Sequence, residues 1–210
     1  VWLAGGGGGG GAGCGGGRRE ELRALAGQPA ATQGGMDIGG AKAVIHPYFG
    51  PAAGSSEEVF DRVMDTNVRA KFQLANMTIP HMVARGGGSF TIISSIGGIV
   101  GQPKIGIYGI SKAADMALIR NICVEWGPSN IRANAIAPGL VRTDFARALW
   151  EDPVRYKKTT SQAPLQRIGE PDEIAGAAVF LASAAGSFTT GHTLVIDGGI
   201  TAGTVTQPEG

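Results

Sequence analysis

The sequence predicts an α/β fold in which a mostly parallel sheet carries helices on both faces. From Met36 onward, short runs rich in apolar and β-branched residues alternate with longer stretches whose apolar residues recur at helical spacing. That alternation of strand and helix is the pattern of a parallel sheet covered on both sides. The polar residues with chemical potential, Ser95 above all, fall at the C-terminal ends of the apolar runs, where ligands sit in such sheets. At 210 residues the chain is one domain with room for a substantial core.

Composition removes several function classes. Charged residues are 17% and the net charge is +1, with no basic block, so nothing favours nucleic acid or an anionic membrane as partner. No apolar run reaches the ~18–20 residues of a membrane span, and no signal-peptide pattern appears. Cys14 and Cys123 have no metal-ligand spacing and read as free thiols in a reducing compartment. The tail ends Pro-Glu-Gly, which is no peroxisomal Ser-Lys-Leu address. The expected setting is intracellular and cytoplasmic, with no metal.

Residues 1–33 open with Val-Trp-Leu-Ala, of strand character, and pass into glycine runs at 5–11 and 15–17, part of 36 glycines in the chain. Gly11, Gly13 and Gly16 satisfy Gly-x-Gly-x-x-Gly, a spacing that lets a pyrophosphate approach backbone N–H groups. The match carries no weight, because a glycine run satisfies any glycine spacing, and glycine costs a helix about 1 kcal/mol per residue against alanine. Arg18-Arg19-Glu-Glu-Leu-Arg-Ala-Leu-Ala reads as a short helix. Gly34-Gly-Met-Asp37-Ile38 is strand-like and continues into Gly39-Gly40-Ala41-Lys42-Ala43-Val44. His46-Pro-Tyr-Phe-Gly-Pro51 is a loop that places His46 near a substrate mouth rather than in catalysis.

Ser55-Ser-Glu-Glu58 is a capping box. The helix behind it, to about Met82, carries Val59, Phe60, Val63, Met64, Val68 and Phe72 at helical spacing, and Pro80 is expected to kink or end it. After the turn Arg85-Gly-Gly-Gly88 comes the buried strand Ser89-Phe-Thr-Ile-Ile-Ser-Ser95. The next helix, from about Gly106 through Trp126, holds Tyr108 and Lys112, then Ala113, Ala114, Met116, Ala117, Ile119 and Val124. Its small residues suit close helix contact, within one chain or between two. Tyr108 and Lys112 are four apart and share one helical face. An ammonium beside a phenol favours the phenolate and lowers its pKa from the usual ~10, which is general acid–base chemistry at a carbonyl or alcohol oxygen. A serine hydroxyl at a strand end, Ser95, is placed to hold that oxygen.

Ile131-Arg-Ala-Asn134-Ala-Ile-Ala is a buried strand ended by Pro138-Gly139. Residues 145–168, with Leu149-Trp150 and Tyr156, are apolar enough to suit a substrate larger than a small polar metabolite. Pro171-Asp-Glu173 opens a helix with proline in the first turn and acids at its N-terminus, and Ile174, Ala178, Val179 and Leu181 are its expected buried stripe. Gly191-His-Thr-Leu-Val-Ile-Asp-Gly-Gly199 is the last strand, with His192 structural.

Ser94-Ser-Ile-Gly-Gly98, Tyr108-Gly-Ile-Ser-Lys112, Asn67 in Asp-Thr-Asn-Val, and Asn134-Ala-Ile-Ala-Pro-Gly139 occur in one order and at one set of spacings. Together they resemble the short-chain dehydrogenase/reductase family, over roughly residues 34–202. The resemblance implies a Rossmann-like, doubly wound sheet and an NAD(P)-dependent oxidoreductase interconverting a secondary alcohol and a ketone. By resemblance, Tyr108 is the acid/base, Lys112 lowers its pKa and holds the nicotinamide ribose, Ser95 orients the substrate oxygen, and the Asn67 carbonyl holds a relay water. Tyr108, Lys112, Pro138, Gly139, Val141 and Thr143 would line the cofactor, Thr143 through its hydroxyl. His46-Pro-Tyr-Phe-Gly-Pro and Phe145-Ala-Arg-Ala-Leu-Trp are similar to the carbonyl/retinal reductase branch, whose members use the helices at 55–82 and 106–126 and the last strand to form homodimers and homotetramers.

Two departures stand beside the resemblance. Asn-Asn-Ala-Gly, expected after Asp37-Ile38, is missing. The family also places three strands and their helices before that point, at ~30 or more residues per unit, so the N-terminal part reads as incomplete. Residues 1–33 are then an aberrant remnant of the cofactor-binding half, 34–202 the catalytic core and 203–210 a tail. The remnant is a truncation or rearrangement, a stretch where glycine stands in for unread residues, or a low-complexity arm. Arg18-Arg19 suits a 2′-phosphate, favouring NADP over NAD, or is a solvated helix start. The alternatives to a dehydrogenase are a non-catalytic, cofactor-deficient subunit that acts by oligomerising, and a lyase or epimerase using the same residues.

Overall fold

The computed structural model describes residues 2–5, 8–11, 19–32 and 34–203. In chain order these form β1 (Trp2–Gly5), β2 (Gly8–Gly11), α1 (Arg19–Thr32), β3 (Ile38–Ala41), α2 (Glu57–Met64), a π-turn (Asp65–Arg69), α3 (Ala70–Ala84), β4 (Gly88–Ile93), α4 (Gly106–Trp126), β5 (Ile131–Pro138), α5 (Arg147–Trp150), α6 (Pro153–Thr160), α7 (Pro171–Ala182) and β6 (Thr193–Ile196). The sheet order is β2-β1-β3-β4-β5-β6. Strands β3, β4, β5 and β6 run parallel to one another, in the Rossmann-like arrangement the sequence predicts. Strands β1 and β2 pair antiparallel, and β1 joins the edge of β3 antiparallel. Gly13, Gly16 and Arg18 lie outside the described residues.

The strand period of two divides β4 and β5 between opposite faces. Phe90, Ile92, Ile131, Ala133 and Ala135 join one apolar core with Leu22 of α1, Leu74, Ile79 and Met82 of α3, and Ile119 and Ile122 of α4. Ser89, Arg132 and Asn134 occupy the other face, where they bond to the α7 region: Ser89 Oγ and Arg132 donate to the Leu181 carbonyl at 2.9 and 2.6 Å. Helices therefore cover both faces of the sheet, one through apolar packing and the other largely through hydrogen bonds.

Local signals explain most boundaries. Ser56, rather than Ser55, caps α2 by accepting from the Val59 N–H, while Ser55 donates to the Ala52 carbonyl. Glu170 and Glu173 form a reciprocal capping box around Pro171 at the start of α7. Pro80 departs from expectation: α3 runs through it to Ala84. Pro80 and Asn76, one turn back, lie on the exposed side of the helix, so the carbonyl left without an N–H partner faces water. Phe60 and Phe72 are also exposed, on the outward face of α2 and α3. The stripe predicted for α7 is not buried as a whole: Leu181 is fully buried but Val179 is 67% exposed. The sheet beneath α7 is polar and holds it by the Leu181 carbonyl. Among the described residues, no helix is long and apolar enough to cross a membrane.

Phe90 sits at the centre of the core with no exposed surface. Phe90→Ala is expected to cost about 3–5 kcal/mol of stability through lost burial and the remaining cavity, measured by denaturant unfolding.

Candidate active site

The parallel strands end together, and the segments leaving β4 and β5 carry most of the predicted site. Beyond Ile93 the chain is held by Ser94, whose N–H donates to the Ile136 carbonyl at 2.7 Å and whose Oγ donates to the Lys112 carbonyl at 2.9 Å. Ser95 then caps a short turn (Ile96–Gly98), its Oγ accepting from the Gly97 N–H at 3.1 Å. That bond uses a lone pair and leaves the Ser95 O–H free to donate.

Gly97 and Gly98 let this turn lie directly on α4. A Cβ at Gly97 would stand 3.3 Å from Tyr108 Cε1 and 3.5 Å from Ser95 Oγ. The Tyr108 ring and the Ser95 hydroxyl therefore flank one glycine. A Cβ at Gly98 would lie 2.6 Å from the Lys112 backbone carbon, which excludes any side chain there.

Lys112 and Tyr108 share a face of α4, with Lys112 Nζ 5.6 Å from the Tyr108 ring centroid. The ammonium donates to the Ile93 carbonyl at 3.2 Å and to Asp115 Oδ2 at 3.4 Å. Burial, followed by the charge of Lys71, pushes Lys112 down from its ordinary value to about 8, against the opposing pull of Asp115 and Tyr108.

Asn67 lies on the π-turn between α2 and α3 and is fully buried. Such turns commonly mark functional positions within helices. Its Oδ1 accepts from the Ile45 N–H at 2.8 Å, and its Nδ2 donates to the Ile45 carbonyl at 3.1 Å and to Ser111 Oγ at 3.0 Å. Ser111 in turn donates to the Tyr108 carbonyl at 2.7 Å. One side chain thus ties the loop after β3 to the helix that bears Tyr108 and Lys112.

That loop brings His46 to 5.5 Å from the Tyr108 ring, centroid to centroid. His46 Nε2 is buried with no hydrogen-bond partner, and burial lowers the imidazole pKa. A cavity of about 10 Å³ beside it is lined by Tyr48, Val59, Val63, Ile105 and Tyr108. Pro138 ends β5, and Gly139 donates to the Ile196 carbonyl at 2.9 Å, so close to β6 that a Cβ would stand 2.8 Å from Asp197 Cα. Val141 bridges to Gly169, and Thr143 lies farther along this loop, its carbonyl accepting from Trp150 Nε1 at 3.0 Å. Arg19 lines a groove between α1 and α3 with Arg23, Arg69 and Phe72, apart from these residues.

Ser111, Lys71 and Asp115 escape a sequence reading. The available signal is a lysine and an aspartate set within apolar helical stretches, the aspartate one turn beyond Lys112 on the same face.

A family model described as enoyl-(acyl carrier protein) reductase matches residues 14–201. Dehydrogenase/reductase SDR family member 4 from Bos taurus is 41% identical over 182 residues, covering 87% of this chain and 65% of that protein. The Sus scrofa protein of the same name is 39% identical over 181 residues, covering 86% and 64%. The chain thus spans just under two thirds of these relatives. A gluconate 5-dehydrogenase from Burkholderia cenocepacia, solved with NADP and tartrate, superposes with a TM-score of 0.85 at 32% identity, over 91% of this chain and 74% of that one. A short-chain type dehydrogenase/reductase from Mycobacterium ulcerans gives a TM-score of 0.85 at 32% identity, over 88% and 67%.

Asn67→Ala leaves both polar backbone groups of Ile45 without their side-chain partner. A loss of about 1–3 kcal/mol is expected, read by denaturant unfolding, together with faster hydrogen exchange at the Ile45 amide.

Proposed function

The chain belongs to the short-chain dehydrogenase/reductase family, and on that premise we propose that it interconverts a secondary alcohol and a ketone with NAD(P). The observation that carries this reading is the convergence of Ser95 and Tyr108 on Gly97, with Lys112 beneath the Tyr108 ring. The donor set fits a nicotinamide nucleotide and a carbonyl oxygen. Ser95 has an O–H to spare, and Tyr108 makes no side-chain hydrogen bond among the described residues. The Thr143 hydroxyl has only a long contact of 3.5 Å to the Val141 carbonyl. Lys112, Tyr108, Pro138, Gly139, Val141 and Thr143 would hold the cofactor, which when bound supplies or accepts the hydride.

The chain's own part is placement and proton traffic. In ketone reduction, Ser95 Oγ–H orients the substrate oxygen and Tyr108 O–H gives it a proton. The Lys112 ammonium offers positive charge where the phenolate develops. The proton returns to Tyr108 by way of Lys112 and a water held at the Asn67 carbonyl. Asn67 suits that role because its side chain is committed to Ile45 and Ser111, which fixes its backbone.

The apolar segment above the site, with Phe145, Leu149 and Leu165 exposed, supports an extended or aromatic carbonyl as substrate. NADP is favoured over NAD on the basic Arg18-Arg19 pair. Two exposed apolar groups, Phe72, Ile110 and Val124 on α3 and α4 and Val179, Phe180 and Phe188 around α7, support a homodimer or homotetramer, tested by light scattering. A second reading, a subunit without cofactor binding, is favoured by the antiparallel β1–β2 pair at the edge of β3. Titration with NADPH and NADH separates the two: binding upholds the enzyme, and a folded oligomer that binds neither upholds the subunit.

Tyr108→Phe is expected to abolish turnover while leaving folding intact, checked by circular dichroism; retained turnover would remove the assignment. Ketone reduction, which needs Tyr108 protonated and Lys112 charged, is expected to decline as pH rises through about 8. A rate profile flat across that range would contradict this account of Lys112.

A further inference from the structure

Lys71 and Asp115 form an ion pair sealed in the core beside Lys112. The side chains of Lys71, Asp115 and Lys112 are 1%, 0% and 2% exposed. Lys71 Nζ, reaching in from α3, donates to both carboxylate oxygens of Asp115, at 2.8 and 2.6 Å. The nearer oxygen, Oδ2, also accepts from Lys112 Nζ at 3.4 Å. Burying such a pair is no gain over packed apolar side chains of the same volume, because both charges lose their water. Leu74 and Ile79 of α3 and Ile119 and Ile122 of α4 already lie together in one apolar core. The pair therefore needs another reason to lie where it does, and the Lys112 ammonium stands directly against it.

We propose that the Lys71–Asp115 pair is a positioning device for Lys112, in which a carboxylate pinned from α3 anchors the ammonium beneath Tyr108 and supplies its counter-charge. The inference rests on the oxidoreductase reading, since it is there that the charge and place of Lys112 matter to Tyr108. The groups facing Lys112 are Lys71 from α3, Asp115 and Tyr108 from its own helix, and the Ile93 carbonyl from β4; His46 faces the far side of the set, against the Tyr108 ring. Burial drives the Lys112 proton off, Lys71 repels it, and Asp115 holds it.

The two partners act on Lys112 with opposite sign. Removing the Asp115 charge makes deprotonation easier, so the Lys112 midpoint falls. Removing the Lys71 charge leaves Asp115 to Lys112 alone, so the midpoint rises. Opposite movement shows both charges acting on Lys112, and its line width and the turnover read its positioning.

The test is a pH titration of cofactor-free protein labelled with carbon-13 at the lysine Cε, followed by NMR, with the Lys112 signal assigned through Lys112→Met. Asp115→Asn is expected to lower the Lys112 midpoint, and Lys71→Met to raise it, each by about one pH unit. An unchanged midpoint, or movement in one direction in both variants, overturns the proposal. Where a single variant fails to fold, the double variant Lys71→Met/Asp115→Leu replaces the pair with apolar volume. The proposal expects its Lys112 signal to narrow as the ammonium gains motion, and its kcat for ketone reduction to fall about tenfold. A wild-type line width with wild-type turnover overturns it. If the native chain reduces no carbonyl yet the single variants move Lys112 oppositely, the functional reading fails and the pair's role toward Lys112 stands.

Discussion

Ser94 Oγ donates to the Lys112 carbonyl while the Lys112 ammonium donates back to the Ile93 carbonyl. The exit of β4 and the second turn of α4 are thereby tied at two points, one on the helix backbone and one through its side chain. Gly98 makes the fit sharper, since its α-carbon lies where any Cβ would meet the backbone of Lys112 and Ala113. With the turn pressed this closely on the helix, the Ser95 hydroxyl, the Tyr108 ring and the Lys112 ammonium have little freedom relative to one another. Preorganised donors of this kind need no rearrangement when charge develops at a substrate oxygen.

The same edge is rich in buried polar groups, and most are spoken for. Asn67 satisfies Ile45 and reaches Ser111, which returns to Tyr108. The π-turn that carries Asn67 interrupts what would otherwise be one long helix from α2 into α3 and turns its side chain inward. Among the described residues, the buried side-chain atoms without a partner are His46 Nε2 and Thr91 Oγ1. Thr91 lies within β4, but His46 stands against the Tyr108 ring, so one of the two open positions borders the proposed site.

Elements with a strong period were legible in the sequence. Gly106–Trp126 and Ile131–Pro138 begin and end close to where their patterns place them, because apolar periodicity and a terminal Pro-Gly are local signals. The Tyr108–Lys112 pair was readable for the same reason, being set by helical spacing. The exposure of Val179 was not, since apolar residues on a helix show a stripe without showing what lies opposite; here it is a sheet face bearing Ser89, Arg132 and Asn134. Pro80 misled because its cost depends on whether the unpaired carbonyl meets water. Lys71 and Asp115 lie on different helices, 44 positions apart in the chain, and no local pattern brings one to the other. The glycine fingerprint at Gly11, Gly13 and Gly16 falls largely outside the described residues.

The polar face of the sheet also bears on the site, through the last strand. Residues 189–196 are laid onto β5 by bonds that alternate between backbone and side chain. Gly191 N–H donates to the Ala133 carbonyl at 2.7 Å, Ala133 N–H to Thr190 Oγ1 at 3.1 Å, and Ala135 N–H to the His192 carbonyl at 2.9 Å. The buried Asn134 amide locks this register, donating to the Thr189 carbonyl at 2.8 Å while its Oδ1 accepts from the His192 N–H at 3.1 Å. A slip of one residue would turn Asn134's partners away and leave its amide buried and unpaired, a cost of about 1–3 kcal/mol. The register fixed there runs on to Pro138 opposite Ile196 and to the Gly139 N–H bonded to the Ile196 carbonyl. Beyond that point, Asp197 braces the chain through Gly199 and Thr201. The loop from Gly139 to Thr143 therefore starts from a point set by the final strand, and the buried Asn134 couples the closing segment of the sheet to the wall of the proposed cofactor site.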